Sequence, residues 1–263
     1  MPLKILVIHS TGLVGKSIIT ASLLHPRLSS PRIFSVERQN QDAARYGIDV
    51  SRYRSADFKK LINDVVVEPG DLVVDVGASQ YADFMKEFAR VRGAINDFDV
   101  VIVPTTPDGR VQEETLGTIE TLLKVGLQPD KLRVVFNRAT IDQGDSLETE
   151  FEHVVAHLIG TPSLPFYEDL VTYENPIHSE LRAEGLSFEE VATDTTDYRK
   201  LVSDVARKSP NSAVHRRLVG RLNLQRAVAS ATSDLDAAFV ALRLPGVQIE
   251  TDGRLAIDNE MEH

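Results

Sequence analysis

Gly15, Lys16 and Ser17 follow the stretch "KILVIHSTGLV" near the start of the chain. Glycine leaves backbone N–H groups uncovered, lysine brings a mobile positive charge, and serine offers a hydroxyl. At the start of a helix, these three types suit a phosphate group with its divalent cation. The strict phosphate-loop pattern is G-x-x-x-x-G-K-[ST]. Here the window is "STGLVGKS", Ser10 to Ser17, so its first position is serine. Read as such a loop, the backbone of Thr11, Gly12, Leu13, Val14, Gly15, Lys16, Ser17 and Ile18 cradles the phosphates. Lys16 then reaches the β and γ oxygens, and Ser17 ligates Mg²⁺. The plain alternative is a glycine-rich turn followed by a chance Lys-Ser.

A second group of residues could share that chemistry. The apolar run "LVVDVGAS" ends in Asp75, with Gly77 two positions on. A carboxylate there can hold Mg²⁺ through water, and the Gly77 N–H can approach a terminal phosphate. A helix cap or a surface turn acid is the competing reading of Asp75. His9 lies at the end of the first apolar run, where a packed or surface histidine outweighs a phosphate contact. His153 and His157 are four apart, but "HVVAH" lacks the glutamate of a zinc-binding helix, so a surface or packing role is expected.

These residues need a scaffold that brings two distant segments together. "KILVIH", "RIFSVE", "DLVVDVG", "DVVIVPTTPD" and "KLRVVFNRA" read as strands, and "PSLPFYEDL" as a short final strand and loop. Between them, "KSIITASLLHP", "SADFKKLINDVVV", "YADFMKEFARVRGAI", "QEETLGTIETLLKVG" and "SLETEFEHVVAHLIG" read as helices. In the second of these, Leu61, Val65 and Val66 are expected on the apolar side. Strands that are apolar throughout indicate a sheet covered on both faces. The expected fold class is therefore α/β: an open, mostly parallel sheet with helices on both faces. Ligands collect beyond the carboxyl ends of such strands. Both candidate groups fall there.

The quoted pieces, taken in order over about residues 3–175, resemble the ParA/MinD-type P-loop ATPases. "VVDVGAS" is closest to the form seen in the plasmid-stability StbB and conjugation-associated TraL proteins. The resemblance implies ATP and Mg²⁺ as cofactors, with Ser17, Glu37 and Asp75 around the metal. It implies an amide at Asn137 near adenine, Arg138 near the base or ribose, and a second wall from Pro165 and Phe166. It also implies a homodimer in the nucleotide-bound state, a DNA-binding adaptor as partner, and a cytoplasmic setting.

The departures from the family pattern bear on turnover. The lysine that crosses a sandwich dimer is replaced by Thr11, and the second glycine of the pair by Leu13. Where the family carries two aspartates after strand two, this chain has Glu37 and Gln39. Glu37 can serve the metal. Gln39 can orient water but is not a carboxylate base. Lys16, Glu37, Gln39 and Asp75 are thus the candidate catalytic residues, and the expected enzyme is a slow ATPase. A nucleotide-stabilised adaptor without meaningful hydrolysis is the alternative, and a P-loop small-molecule kinase is a third reading.

Composition narrows the rest. Twenty-nine basic and 39 acidic residues give a net charge of −10, which repels nucleic acid and anionic membrane unless a local patch offsets it. With no cysteine among its 263 residues, the chain has no thiol catalysis or disulfide. No apolar run is long enough for a membrane span. The expected organisation is a nucleotide-binding domain over residues 1–206 and a helical appendage with an acidic tail over 207–263. The appendage opens on a stretch, Arg207 to Arg226, with six Lys/Arg and no Asp/Glu. Three uses are open: docking on the acidic body, binding a partner protein, or contacting DNA or a membrane directly. A hairpin is expected around Asp252-Gly253.

Overall fold

The structure, a computed structural model, describes residues 2–37, 43–141, 146–249 and 255–257. Seven strands form one parallel sheet: β1 (Lys4–Val7), β2 (Arg32–Val36), β3 (Ser51–Tyr53), β4 (Leu72–Val76), β5 (Val100–Thr105), β6 (Leu132–Ala139) and β7 (Val171–Tyr173). Their order is β3-β2-β4-β1-β5-β6-β7. The chain therefore leaves β1 in the interior of the sheet, between β4 and β5. Every residue of β1, β4 and β5 is buried, as the unbroken apolar runs require.

Because side chains alternate across a sheet, each strand feeds two cores. Leu6, Phe34, Val74 and Val101 face one of them, together with α2 (Phe58–Val67), α3 (Ala78–Arg90), α4 (Gly109–Lys124) and α6 (Glu152–Gly160). A set of phenylalanines, Phe58, Phe84 and Phe88, packs edge to face there at 4.9–5.2 Å. Ile5, Val7, Ile33 and Val73 face the other core. That core is closed by the segment after the first loop, by α7 (Ile177–Glu184), α8 (Phe188–Ala192) and the long α10 (Ala213–Ala241). The segment after the loop begins as α1 (Lys16–Ile18), widens into π-helix over Ile19–Leu24, and ends in a tight turn containing Pro26. Remaining helices are α5 (Leu147–Glu150) and α9 (Tyr198–Lys208).

The expected α/β class and parallel sheet are found, with three differences in detail. The final strand is Val171–Tyr173, not within "PSLPFYEDL". The short strand β3 pairs with β2 at the sheet edge, where only Tyr53 of its three residues is buried. In α2 the buried side is Phe58, Leu61, Ile62 and Val65, while Val66 points outward at 62% exposure. Val66 lies one residue, about 100° around the helix, from Val65.

Beyond residue 206, α10 runs through Gly220 without a break. Its second half is fixed to the body by Leu224, Val228, Leu235 and Phe239 in the core. Buried Arg133 donates from Nε to the Leu242 carbonyl at 2.6 Å, and its guanidinium stacks on Tyr167. Arg27 Nε meets Asp236 at 2.7 Å. Two short strands, β8 (Val247–Ile249) and β9 (Leu255–Ile257), pair antiparallel, as a hairpin would. The expected turn at Asp252-Gly253 lies outside the described residues.

Candidate functional site

The loop between β1 and α1 is shaped by two left-handed residues, Leu13 (φ 61°) and Gly15 (φ 88°). At Gly15 a side chain is excluded twice over, because a Cβ would also lie 2.2 Å from Asn137 Nδ2. At Leu13 the conformation that glycine takes freely is held by a leucine 88% exposed on the lip of the loop. A left-handed residue with a Cβ costs roughly 1–2 kcal/mol.

Two buried side chains pin the loop from beneath. Asn137, at the end of β6, donates from Nδ2 to the Val14 carbonyl at 2.8 Å and accepts from Thr172 Oγ1 at 2.8 Å. His9 accepts the Thr11 N–H at Nδ1, 2.9 Å away. Nε2 therefore carries the ring proton and donates to Thr115 Oγ1 at 2.9 Å. Burial first, then the charge of Lys16, pushes the His9 pKa down to about 3. The imidazole is thus neutral and structural. It also holds the Thr11 N–H out of the cleft.

Lys16 is buried and donates from Nζ to the Thr11 carbonyl at 2.7 Å. Burial lowers its pKa to about 8, against the opposing pull of Asp75 and Glu37. One residue on, Ser17 Oγ donates to Asp75 Oδ2 at 2.8 Å. Register aligns Asp75 with Val7 of β1 on one side and Ser35 of β2 on the other. Glu37 follows β2 and accepts from the Ser79 hydroxyl. A Cβ at Gly77 would fall 1.7 Å from Glu37 Oε2, so glycine is what admits the carboxylate there.

Ser17, Asp75 and Glu37 supply oxygen donors only, which suits Mg²⁺. Among the described residues no group of three or more acidic, histidine or cysteine side chains could cage a metal by itself. Mg²⁺ needs no such cage, because it keeps several waters and shares one or two carboxylates with substrate phosphates. The residues therefore fit that cation.

Lys16, Ser17, Glu37 and Asp75 line one solvent-open cleft at the carboxyl edge of the sheet. Of the residues expected at the site, Gly12, Leu13, Gly15, Lys16, Ser17, Ile18, Glu37, Asp75, Gly77 and Arg138 lie on it. Thr11 and Val14 do not; the Thr11 N–H is bonded to His9 and the Val14 carbonyl to Asn137. Asn137 lies beneath the loop and on a small adjoining cavity, which shares Ile18 and Arg138 with the first. Tyr173, Glu174, Asn175 and His178 complete much of that second cavity. Pro165 and Phe166 line neither: Phe166 packs edge-on against Phe136 over the opposite core. Gln39 lies outside the described residues.

Four cleft residues carry no local sequence signature: Ser35, Arg45, Tyr46 and Arg182. Ser35 left one trace, a lone hydroxyl near the end of an apolar strand. The arginines come from a short turn after β2 and from α7, and only the fold brings them together. The guanidinium charges of Arg182, Arg138 and Arg45 act on the Tyr46 phenol, whose pKa is nonetheless raised by burial.

No known protein family matches the chain, and no curated protein matches it. Solved structures do. Apo McdA of Cyanothece aligns with a TM-score of 0.51 at 11% identity, over 87% of this chain and 100% of its own. An ATP complex of a Cyanothece McdA variant gives 0.50 at 11% identity, over 89% of this chain and 96% of its own. The fold is that of these McdA structures. MinD of Aquifex aeolicus aligns over 87% of this chain and 97% of its own, with 12% identity and a TM-score of 0.48. At such identities the likeness is one of fold. No helix of the described residues is long and apolar enough to cross a membrane.

Proposed function

We propose that the cleft binds ATP with Mg²⁺, and that the protein is a slow, nucleotide-switched ATPase of the partition or plasmid-maintenance kind. The observation that carries this reading is the Lys16, Ser17 and Asp75 arrangement at the mouth of β1. It joins a buried ammonium to a hydroxyl and carboxylate already 2.8 Å apart. Electrostatics support it. Lys16, Arg45, Arg138 and Arg182 face Glu37 and Asp75 across the cleft, a local cationic excess in a chain of net charge −10. A polyanion is drawn to such a spot.

In this reading Lys16 and the loop amides bind the phosphates, and Ser17 with Asp75 and Glu37 holds Mg²⁺. The cation, when bound, neutralises charge between the terminal phosphates. The adjoining cavity receives the base beside Arg138, Glu174 and Asn175. Binding needs the cradle and the cation site, the roles proposed for the loop amides and Lys16 and for Ser17 with Asp75 and Glu37. Turnover also needs an oriented water and charge stabilisation in the transition state. Thr11 in place of a crossing lysine and Gln39 in place of an acid support slow turnover. ATP-dependent homodimerisation and an adaptor carrying the DNA contact complete the proposal, on the motif resemblance to StbB and TraL proteins. The second reading, a nucleotide-stabilised adaptor without hydrolysis, rests on the same two departures. Phosphate release measured with the cognate adaptor and DNA separates them: release that remains at background selects the adaptor.

A further inference from the structure

Ser35 lies in the interior of the phosphate cleft with its hydroxyl unsatisfied. Its side chain is 1% exposed, it lines the cleft, and its Oγ has no hydrogen-bond partner among the described residues. Buried hydroxyls are nearly always satisfied, and an unsatisfied one destabilises the fold unless a ligand completes it. Phe34 and Val36 turn to the opposite core, so Ser35 shares the loop-side face with Ile33. On that face its register neighbour is Asp75, whose other neighbour is Val7 of β1. Asp75 therefore has the Ser17 hydroxyl and the phosphate loop on one flank and the Ser35 hydroxyl on the other. Glu37 follows on the same strand. A hydroxyl placed on the far side of the carboxylate from the phosphate loop is better set for what surrounds the cation than for the phosphates themselves.

We propose that Ser35 is a further ligand-binding residue, whose hydroxyl hydrogen-bonds a water in the hydration shell of the divalent cation beside Asp75. This rests on the Mg²⁺–nucleotide reading of the cleft. The hydroxyl would then be unsatisfied in the free protein and satisfied in the loaded one. That gives the Ser35→Ala substitution opposite effects in the two states.

The fold supplies a control. Thr20 Oγ1 is also fully buried and without a partner among the described residues, but Thr20 does not line the cleft. Thr20→Val should stabilise the free protein and leave nucleotide affinity alone. The experiment compares wild type, Ser35→Ala and Thr20→Val by thermal unfolding without ligand and by calorimetric titration with ATP, with Mg²⁺ and with EDTA. Ser35→Ala is expected to raise the unliganded Tm by about 2–4 °C and to weaken Mg²⁺–ATP about 3- to 10-fold. Affinity in EDTA should be unchanged. A fall in the unliganded Tm of Ser35→Ala would show that the hydroxyl has a structural partner and would overturn the proposal. So would equal losses with and without Mg²⁺, which would place the hydroxyl on the phosphates, or an unchanged Mg²⁺–ATP affinity. A wild type that binds no Mg²⁺–ATP would instead sink the reading of the cleft.

Discussion

Replacing Asn137 by alanine separates two roles that one amide can play. Its Nδ2 and Oδ1 bridge Val14 of the loop after β1 and Thr172 of β7, at 2.8 Å each. Val14, Asn137 and Thr172 are 1%, 4% and 5% exposed. Alanine removes both bonds and strands the Val14 carbonyl and the Thr172 hydroxyl away from water. A buried polar group left unsatisfied costs about 1–3 kcal/mol, so the pair costs about 2–5 kcal/mol after partial relaxation. For a chain of this size that is a fall in Tm on the order of 10 °C. The loop would also lose its anchor, and ATP affinity would fall with ADP and GTP affinity in parallel. The assay is unliganded thermal unfolding beside calorimetric titration with ATP, ADP and GTP. An unchanged Tm combined with a collapse of ATP affinity alone would refute this and make Asn137 a reader of the base.

Two further outcomes follow from the charges in the cleft. The Lys16 pKa of about 8 lies below its unfolded value of 10.5. Between those values the unfolded chain holds the extra proton, so this group makes the free protein more stable as pH rises. Phosphates in the cleft favour the charged form, so ATP binding at pH 8 should take up about half a proton and weaken as pH rises further. Titration in buffers of different ionisation enthalpy measures the uptake, and none at pH 8 contradicts the shift. Arg182→Ala should weaken ATP binding several-fold and flatten its salt dependence without lowering Tm, because Arg182 is exposed. An unchanged salt slope would remove Arg182 from the phosphate field.

The parallel sheet and the left-handed glycine loop after β1 were legible because both are written locally. Strands buried on both faces leave long apolar runs, and Gly15, Lys16 and Ser17 are adjacent. Strand β7 was hidden because "VTY" is only three residues long, while "PSLPFYEDL" just before it contains more apolar residues. Edge strand β3 has a single buried residue and so no pattern. The amide of Asn137 was visible, but not its bond to a loop 123 residues earlier. Sequence resemblance assigned the base wall to Pro165 and Phe166, whereas in that part of the chain the adjoining cavity is lined from Thr172 onward. Arg45 and Arg182 share no segment at all, so only the packed fold places them on one cleft.

Lys16, Ser17 and Asp75 are proposed to form a Mg²⁺–nucleotide site. Calorimetric titration of the full chain with ATP, with and without Mg²⁺, tests it in wild type, Lys16→Ala and Asp75→Asn. Saturable binding strengthened by Mg²⁺ is expected in the wild type. Lys16→Ala should weaken it by about 10-fold or more, about 1.4 kcal/mol or greater. Asp75→Asn should lose mainly the Mg²⁺-dependent part. Equal ATP affinity in wild type and Lys16→Ala under Mg²⁺ would contradict the account.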